Sequence, residues 1–121
     1  MSTPAVAWFE ISGGDGPALQ RFYGELFGWE IRDAGGDRGY GMVAASKGGI
    51  GGGIGSPLDG GVGRVTLYVD VDDLESCLER VERLGGRTVV APTLIPEFGL
   101  AYAFFADPEG HVVGLSKTVV E

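Results

Sequence analysis

The sequence predicts an α+β domain built from two tandem β-α-β-β-β modules, and three observations carry that prediction. The first is an internal repeat: Leu19, Phe22, Tyr23 and Leu26 recur as Leu74, Cys77, Leu78 and Val81 at a constant offset. Each set has helical spacing, so one amphipathic helix is written twice. The second is that a strand-like apolar run precedes each helix, at residues 5–11 and 65–71. The third is the stretch 102–115, where two apolar runs flank Asp107-Pro108-Glu109-Gly110. Asp107 can hydrogen-bond forward into the turn, Pro108 presets φ and Gly110 accepts the exit conformation, so the stretch reads as a hairpin.

The elements follow in order. Residues 5–11 form a strand, broken by Ser12-Gly13-Gly14-Asp15-Gly16. Asp15 suits a helix cap, with Pro17 in the first turn. The stripe Leu19, Phe22, Tyr23, Leu26 and Phe27 marks the buried face, and Gly28 ends the helix. Short strands are expected at 29–32 and 40–46 with a loop at 34–39 between them, then a turn at Lys47-Gly48-Gly49 and a glycine-rich strand at 50–54. Residues 55–63 have linker composition. In the second module, 65–71 alternates strictly and predicts a strand with one apolar face. Asp72-Asp73 begins a helix with the stripe Leu74, Cys77, Leu78, Val81 and Leu84, and Gly85-Gly86 stops it. A strand at 88–95, interrupted by Pro92, precedes the terminal hairpin. The expected organisation is one domain over 1–121, with modules at about 5–54 and 64–118.

Composition excludes several functions. The chain has 121 residues, 44% hydrophobic and 21% charged, which is ordinary for a folded domain with one core. Its 23 glycines lie between and inside strand-like runs, which suggests tight turns and bare strand faces. With a net charge of −8 and no Lys/Arg cluster, nucleic acid and anionic membranes are poor partners. No leader-like segment opens the sequence and no apolar run reaches membrane-spanning length, so a cytoplasmic location is expected. The single Cys77 excludes an internal disulfide framework.

Three motifs then carry a resemblance: Phe22-Tyr23-Gly24-Glu25-Leu26-Phe27-Gly28-Trp29, Val71-Asp72-Asp73-Leu74, and Asp107-Pro108-Glu109-Gly110-His111. With the repeat, they resemble the vicinal oxygen chelate superfamily, which includes glyoxalase I, bleomycin-resistance proteins and extradiol dioxygenases. The resemblance implies strands curving into a cup, helices on its convex face, and a metal or small molecule held in the cup. It places the metal ligands at Trp8, Thr66, Gly114 and one of Gly51, Gly52 and Gly53. None of these residues can ligate a divalent cation through its side chain, so no metal and no cofactor is expected.

Strand parity puts Val6, Trp8 and Glu10 on one face of the first strand, with Thr66, Tyr68 and Asp70 on the corresponding face of the second module. The apolar sets Ala7, Phe9, Ile11 and Val65, Leu67, Val69, Val71 suit the helix side. The candidate ligand-binding residues are therefore Trp8, Glu10, Thr66, Tyr68 and Asp70, to which the resemblance adds Gly114 as its last ligand position. Trp8 either walls an open space or fills the vacated metal cavity. Glu10 and Asp70 are either an acid–base pair or solvated rim charges. His111 is expected in the turn, Cys77 in the core, and the acidic pair Asp72-Asp73 at a helix start. Residues 48–53 lack the Lys-Ser/Thr of a phosphate loop and suit a strand cleared for something bulky. The favoured function is metal-independent binding of a planar or aromatic small molecule. The alternatives are a glyoxalase- or dioxygenase-like enzyme and a module acting through protein contacts alone. A homodimer is also expected, because the glycine-rich strand and Val119-Val120 offer few charges to deter edge pairing.

Overall fold

The computed structural model describes residues 3–34, 39–57 and 61–119. Parts of the expected 34–39 loop, of the 55–63 connector and of the Val119-Val120 run lie outside the described residues. The class is α+β and the two-module pattern is present. The chain forms two compact units, Trp8–Thr66 and a second made of Met1–Ala7 with Leu67–Glu121.

In the first unit, β1 (Val6–Ser12, from Trp8 onward) is followed by α1 (Gly16–Phe27), β2 (Ile31–Asp33), β3 (Gly41–Val43) and β4 (Gly51–Gly55). The strand order is β2-β3-β4-β1, with β4 parallel to β1 and antiparallel to β3. The glycine-rich strand is therefore interior, paired on both sides. This corrects its expected role as a bare edge, because an edge argument needs unpaired backbone groups and β4 has used its own.

The Asp15 carboxylate accepts the Ala18 amide at 3.0 Å, and Gly28, at φ +72°, ends α1. The apolar stripe behaves differently from expectation: Phe22, Leu26 and Phe27 are 59%, 58% and 57% exposed. The helix instead packs through its small residues. A Cβ on Gly16 would lie 3.1 Å from the Gly55 Cα, and Gly24 approaches Ile31. Gln20 donates to the Ile54 carbonyl at 2.8 Å and to that of Gly39 at 3.2 Å. At Gly16 the helix backbone comes close to β4, while Leu19 and Tyr23 of the stripe are half-buried and the two phenylalanines stay exposed.

The second unit holds β5 (Val65–Asp70, from Leu67 onward), α2 (Leu74–Arg83), β6 (Arg87–Ile95), a 3-10 turn (Pro96–Phe98), β7 (Leu100–Ala106) and β8 (Val112–Thr118). The strand order is β5-β8-β7-β6. Leu74 and Leu78 of α2 pack on Ala103 and Leu115, joined by Val69, Val71, Phe105 and the half-buried Cys77. Burial pushes the Cys77 thiol upward, as suits a core cysteine. Two sequence expectations shift here. Leu84 caps α2 and is exposed, because the helix has already ended. Pro92 does not interrupt β6. It falls within the register shift between Val90 and Thr93 of a continuous strand at the end of the order, where a missing N–H is tolerated. Among the described residues no helix is long and apolar enough to cross a membrane.

Candidate functional site

In the first unit a two-residue turn decides which side chains meet. Lys47 and Gly48 both have positive φ, +43° and +81°, and the Gly49 amide donates to the Ser46 carbonyl at 2.8 Å. Positive φ at both central positions matches strand twist and closes the hairpin tightly. Met42 then stands opposite Gly53, and Gly53 stands opposite Glu10. Tyr40, two residues before Met42, points to the same side of the chain.

Gly53 has no room for a side chain, because the Tyr40 ring lies across it. From there the Tyr40 hydroxyl donates to Glu10 Oε2 at 3.0 Å and accepts the Trp8 indole Nε1–H at 2.9 Å. Glu10 is completely buried and Tyr40 nearly so, while Trp8 is half-buried. Burial, and then the Glu10 charge, hold the Tyr40 hydroxyl far above the usual tyrosine range, so it stays protonated. The edge of the Trp8 ring lies against Gly51, where a Cβ would come within 3.2 Å of Cζ3. On the opposite face the Phe9 ring covers Gly52 and stands 5.6 Å from that of Trp29, remote from Trp8's side. The glycine strand is thus bare because aromatic rings occupy the space above and below it.

The second unit repeats the device. Tyr68, Gly114 and Phe104 align across β5, β8 and β7. A Cβ on Gly114 would meet Tyr68 Cδ2 at 2.5 Å and Cε2 at 2.6 Å. Strands two apart are separated by about 9.6 Å, yet the Tyr68 and Phe104 ring centroids are 5.5 Å apart. Both rings lean over the glycine, and Tyr102 stacks edge-on against Phe104 at 5.7 Å. An open groove of about 550 Å³ lies on the other, helix-bearing face, lined by Leu74, Glu75, Leu94, Ala101 and Lys117; none of the sequence-predicted site residues lines it.

The structure therefore brings Trp8 and Glu10 together through Tyr40, and seats Tyr68 on Gly114. Thr66 is buried and Asp70 is exposed. Sequence reasoning missed Tyr40. The signal was the hairpin: counting outward from a Lys47-Gly48 turn puts Met42 opposite Gly53 and brings Tyr40 to the glycines. His111 is a turn residue. Its Nδ1 lies 3.0 Å from Asp107 Oδ2, and Asp107 Oδ1 accepts the amides of Glu109 and His111 at 2.9 Å each. Those bonds, led by the His111 amide, hold the Asp107 carboxyl below the usual range.

The residues at the four expected ligand positions do not fit a metal. Trp8 and Thr66 offer no carboxylate, thiolate or imidazole. A carboxylate at Gly114 would displace the Tyr68 ring, and one at Gly53 the Tyr40 ring. Among the described residues no three His, Cys, Asp or Glu side chains are grouped to share an ion.

The family described as Glyoxalase-like domain matches residues 9–116. No curated protein sequence matches the chain. Among solved structures, a glyoxalase/bleomycin resistance protein/dioxygenase superfamily member from Vibrio splendidus 12B01 is 20% identical, with a TM-score of 0.64 over 95% of this chain and 99% of that one. Methylmalonyl-CoA epimerase from Mycobacterium tuberculosis is 16% identical, with a TM-score of 0.68 over 99% and 93%. A protein described as NAD-dependent benzaldehyde dehydrogenase from Legionella pneumophila is 13% identical, with a TM-score of 0.67 over 92% and 97%. At these identities the likeness is one of fold.

Proposed function

Because the chain belongs to the glyoxalase-like domain family, within the vicinal oxygen chelate superfamily, we propose that it binds a small planar or aromatic molecule without a metal. The observation that supports this best is the replacement of ligating side chains by seated rings. Trp8 stands at the first expected ligand position, with its ring edge on Gly51 and its indole nitrogen 2.9 Å from the Tyr40 hydroxyl. Aromatic surface held rigidly in this way suits a flat ligand, since stacking adds about 0.5–1.5 kcal/mol beyond area burial. Trp8 would supply the stacking face and Tyr40 would fix its orientation, with Gly51 and Gly53 making room for the two rings. The ligand is proposed to be met by a homodimer. With β4 paired on both sides, that strand is not part of the proposed subunit contact.

A second reading, an enzyme of the glyoxalase or dioxygenase type, draws on one feature, the buried Glu10 carboxylate accepting from Tyr40 at 3.0 Å. Glu10 would be the proton acceptor, since Tyr40 keeps its proton. The family's reactions commonly use a metal to polarise the substrate, and the residues here do not fit one, so binding is the better-supported function. Fold alone decides neither.

Tryptophan fluorescence tests the proposal. In a Trp29→Phe background, planar aromatic compounds should shift or quench the remaining Trp8 emission, and Trp8→Ala should abolish binding seen by calorimetry while the fold is retained. Binding that survives Trp8→Ala would put the site elsewhere.

A further inference from the structure

We propose that the ligand met by Trp8 is a planar aromatic cation, and that Tyr40 is the positioning residue that gives Trp8 this preference. The inference rests on the small-molecule reading above and deepens it by naming the charge class.

A half-buried tryptophan can grip a ligand by its N–H or by its ring face. Here the N–H is committed: an indole nitrogen only donates, and it donates to Tyr40 Oη at 2.9 Å. The Tyr40 hydroxyl passes its own proton toward Glu10 Oε2 at 3.0 Å. The order of donors is therefore fixed, from indole to phenol to carboxylate. Such a chain polarises cooperatively. Each acceptor draws the donor's hydrogen toward itself and pushes electron density back into the donor group, ending in the indole ring. The ring face carries the negative part of an aromatic quadrupole, so a carboxylate acting through Tyr40 makes that face a better seat for positive charge. The chain holds its polarity because burial and the Glu10 charge keep the Tyr40 proton in place.

The surroundings agree. Gly51 pairs with β1 and carries no side chain, and Gly53 pairs with both β1 and β3 beneath the Tyr40 ring. Met42, on the same face and 41% exposed, adds a polarisable thioether and no donor. Nothing among these groups offers a hydrogen to an anionic substituent. The whole-chain charge of −8 favours the approach of cations at low salt.

The test uses three probes of one shape: N-methylquinolinium, quinoline at a slightly alkaline pH where it is uncharged, and quinoline-2-carboxylate. Dissociation constants are measured by calorimetry on the intact Trp29→Phe protein at about 0.5 M salt, which screens the net charge and leaves short-range contacts. The cation should bind about three- to thirty-fold tighter than quinoline, and the carboxylate weakest. Tyr40→Phe keeps a ring over Gly53 but cuts the chain, so the cation-to-neutral ratio should fall below about twofold, the ratio rather than either affinity being the readout. Glu10→Gln keeps the shape and removes the charge, and it should lower the ratio likewise. A ratio near one in the unaltered chain overturns the inference and leaves the binding proposal standing. A ratio unmoved by both variants overturns the role of Tyr40. If none of the three probes binds, the inference and the binding proposal fall together.

Discussion

Gly114→Ala is the perturbation whose outcome the structure specifies most closely. Its Cβ would stand 2.5, 2.6 and 2.9 Å from three ring atoms of Tyr68, a side chain only 4% exposed. Gly114 lies in β8 without positive φ, so the backbone accepts alanine and the whole penalty is contact. Overpacking of this kind costs about 1–3 kcal/mol. Restricting the unfolded chain offsets about 0.4–1 kcal/mol of it, leaving a loss of about 1–2 kcal/mol. Tyr68→Ala alone should cost about 3–5 kcal/mol as a large buried truncation, within a total stability of about 5–15 kcal/mol. Once the ring is gone the three closest contacts of the new methyl are gone with it. Gly114→Ala in that background should then be neutral or stabilising, giving a coupling of about 2 kcal/mol between the two sites. Equilibrium urea unfolding of the four proteins, compared at equal m, measures it. A neutral Gly114→Ala, or one equally costly with and without Tyr68, would refute the claim that the glycine seats the ring.

Phe22→Ser should change stability by no more than about 0.5 kcal/mol, because the side chain is 59% exposed, whereas Leu115→Ala should cost about 2–5 kcal/mol; denaturant midpoints distinguish them. Asp107 has a lowered folded pKa, so its contribution to the turn is complete above the ordinary aspartate range and is lost as pH falls through the lowered value. The amide resonances of Glu109 and His111 should move only in that acid window, and Asp107→Asn should remove the transition; movement in the ordinary carboxylate range would count against it. Elemental analysis of tag-free protein should find well under one zinc, nickel, iron or manganese per chain, and chelator treatment should leave the melting temperature unchanged. Stoichiometric metal that survives dialysis would contradict the fit of residues described above.

Much of the fold was legible because it is written in local terms. Period and punctuation marked both helices: Asp15 with Pro17 and Gly28 around α1, and Asp73 with Gly85 around α2, where side-chain caps and positive φ satisfy or terminate the backbone. The terminal turn was legible for the same reason, since Asp107 bonds residues two and four places along. The separation of Trp8 from Phe9 onto opposite faces followed from strand parity alone.

What the tertiary structure alone decided is what each face meets. Periodicity identifies an apolar stripe but not the depth to which it is covered, so Phe22, Leu26 and Phe27 read as core and emerged at the surface, while the tight contact of the helix is made at Gly16. The candidate site was half legible for a related reason. Trp8, Glu10 and Tyr68 were named from their own strands and Gly114 from the family resemblance, whereas Tyr40 acts through cross-strand register, a relation between residues 30 and 32 positions apart. A glycine in a sequence shows that a side chain is missing. Which ring fills the space above it is settled only when neighbouring strands are paired.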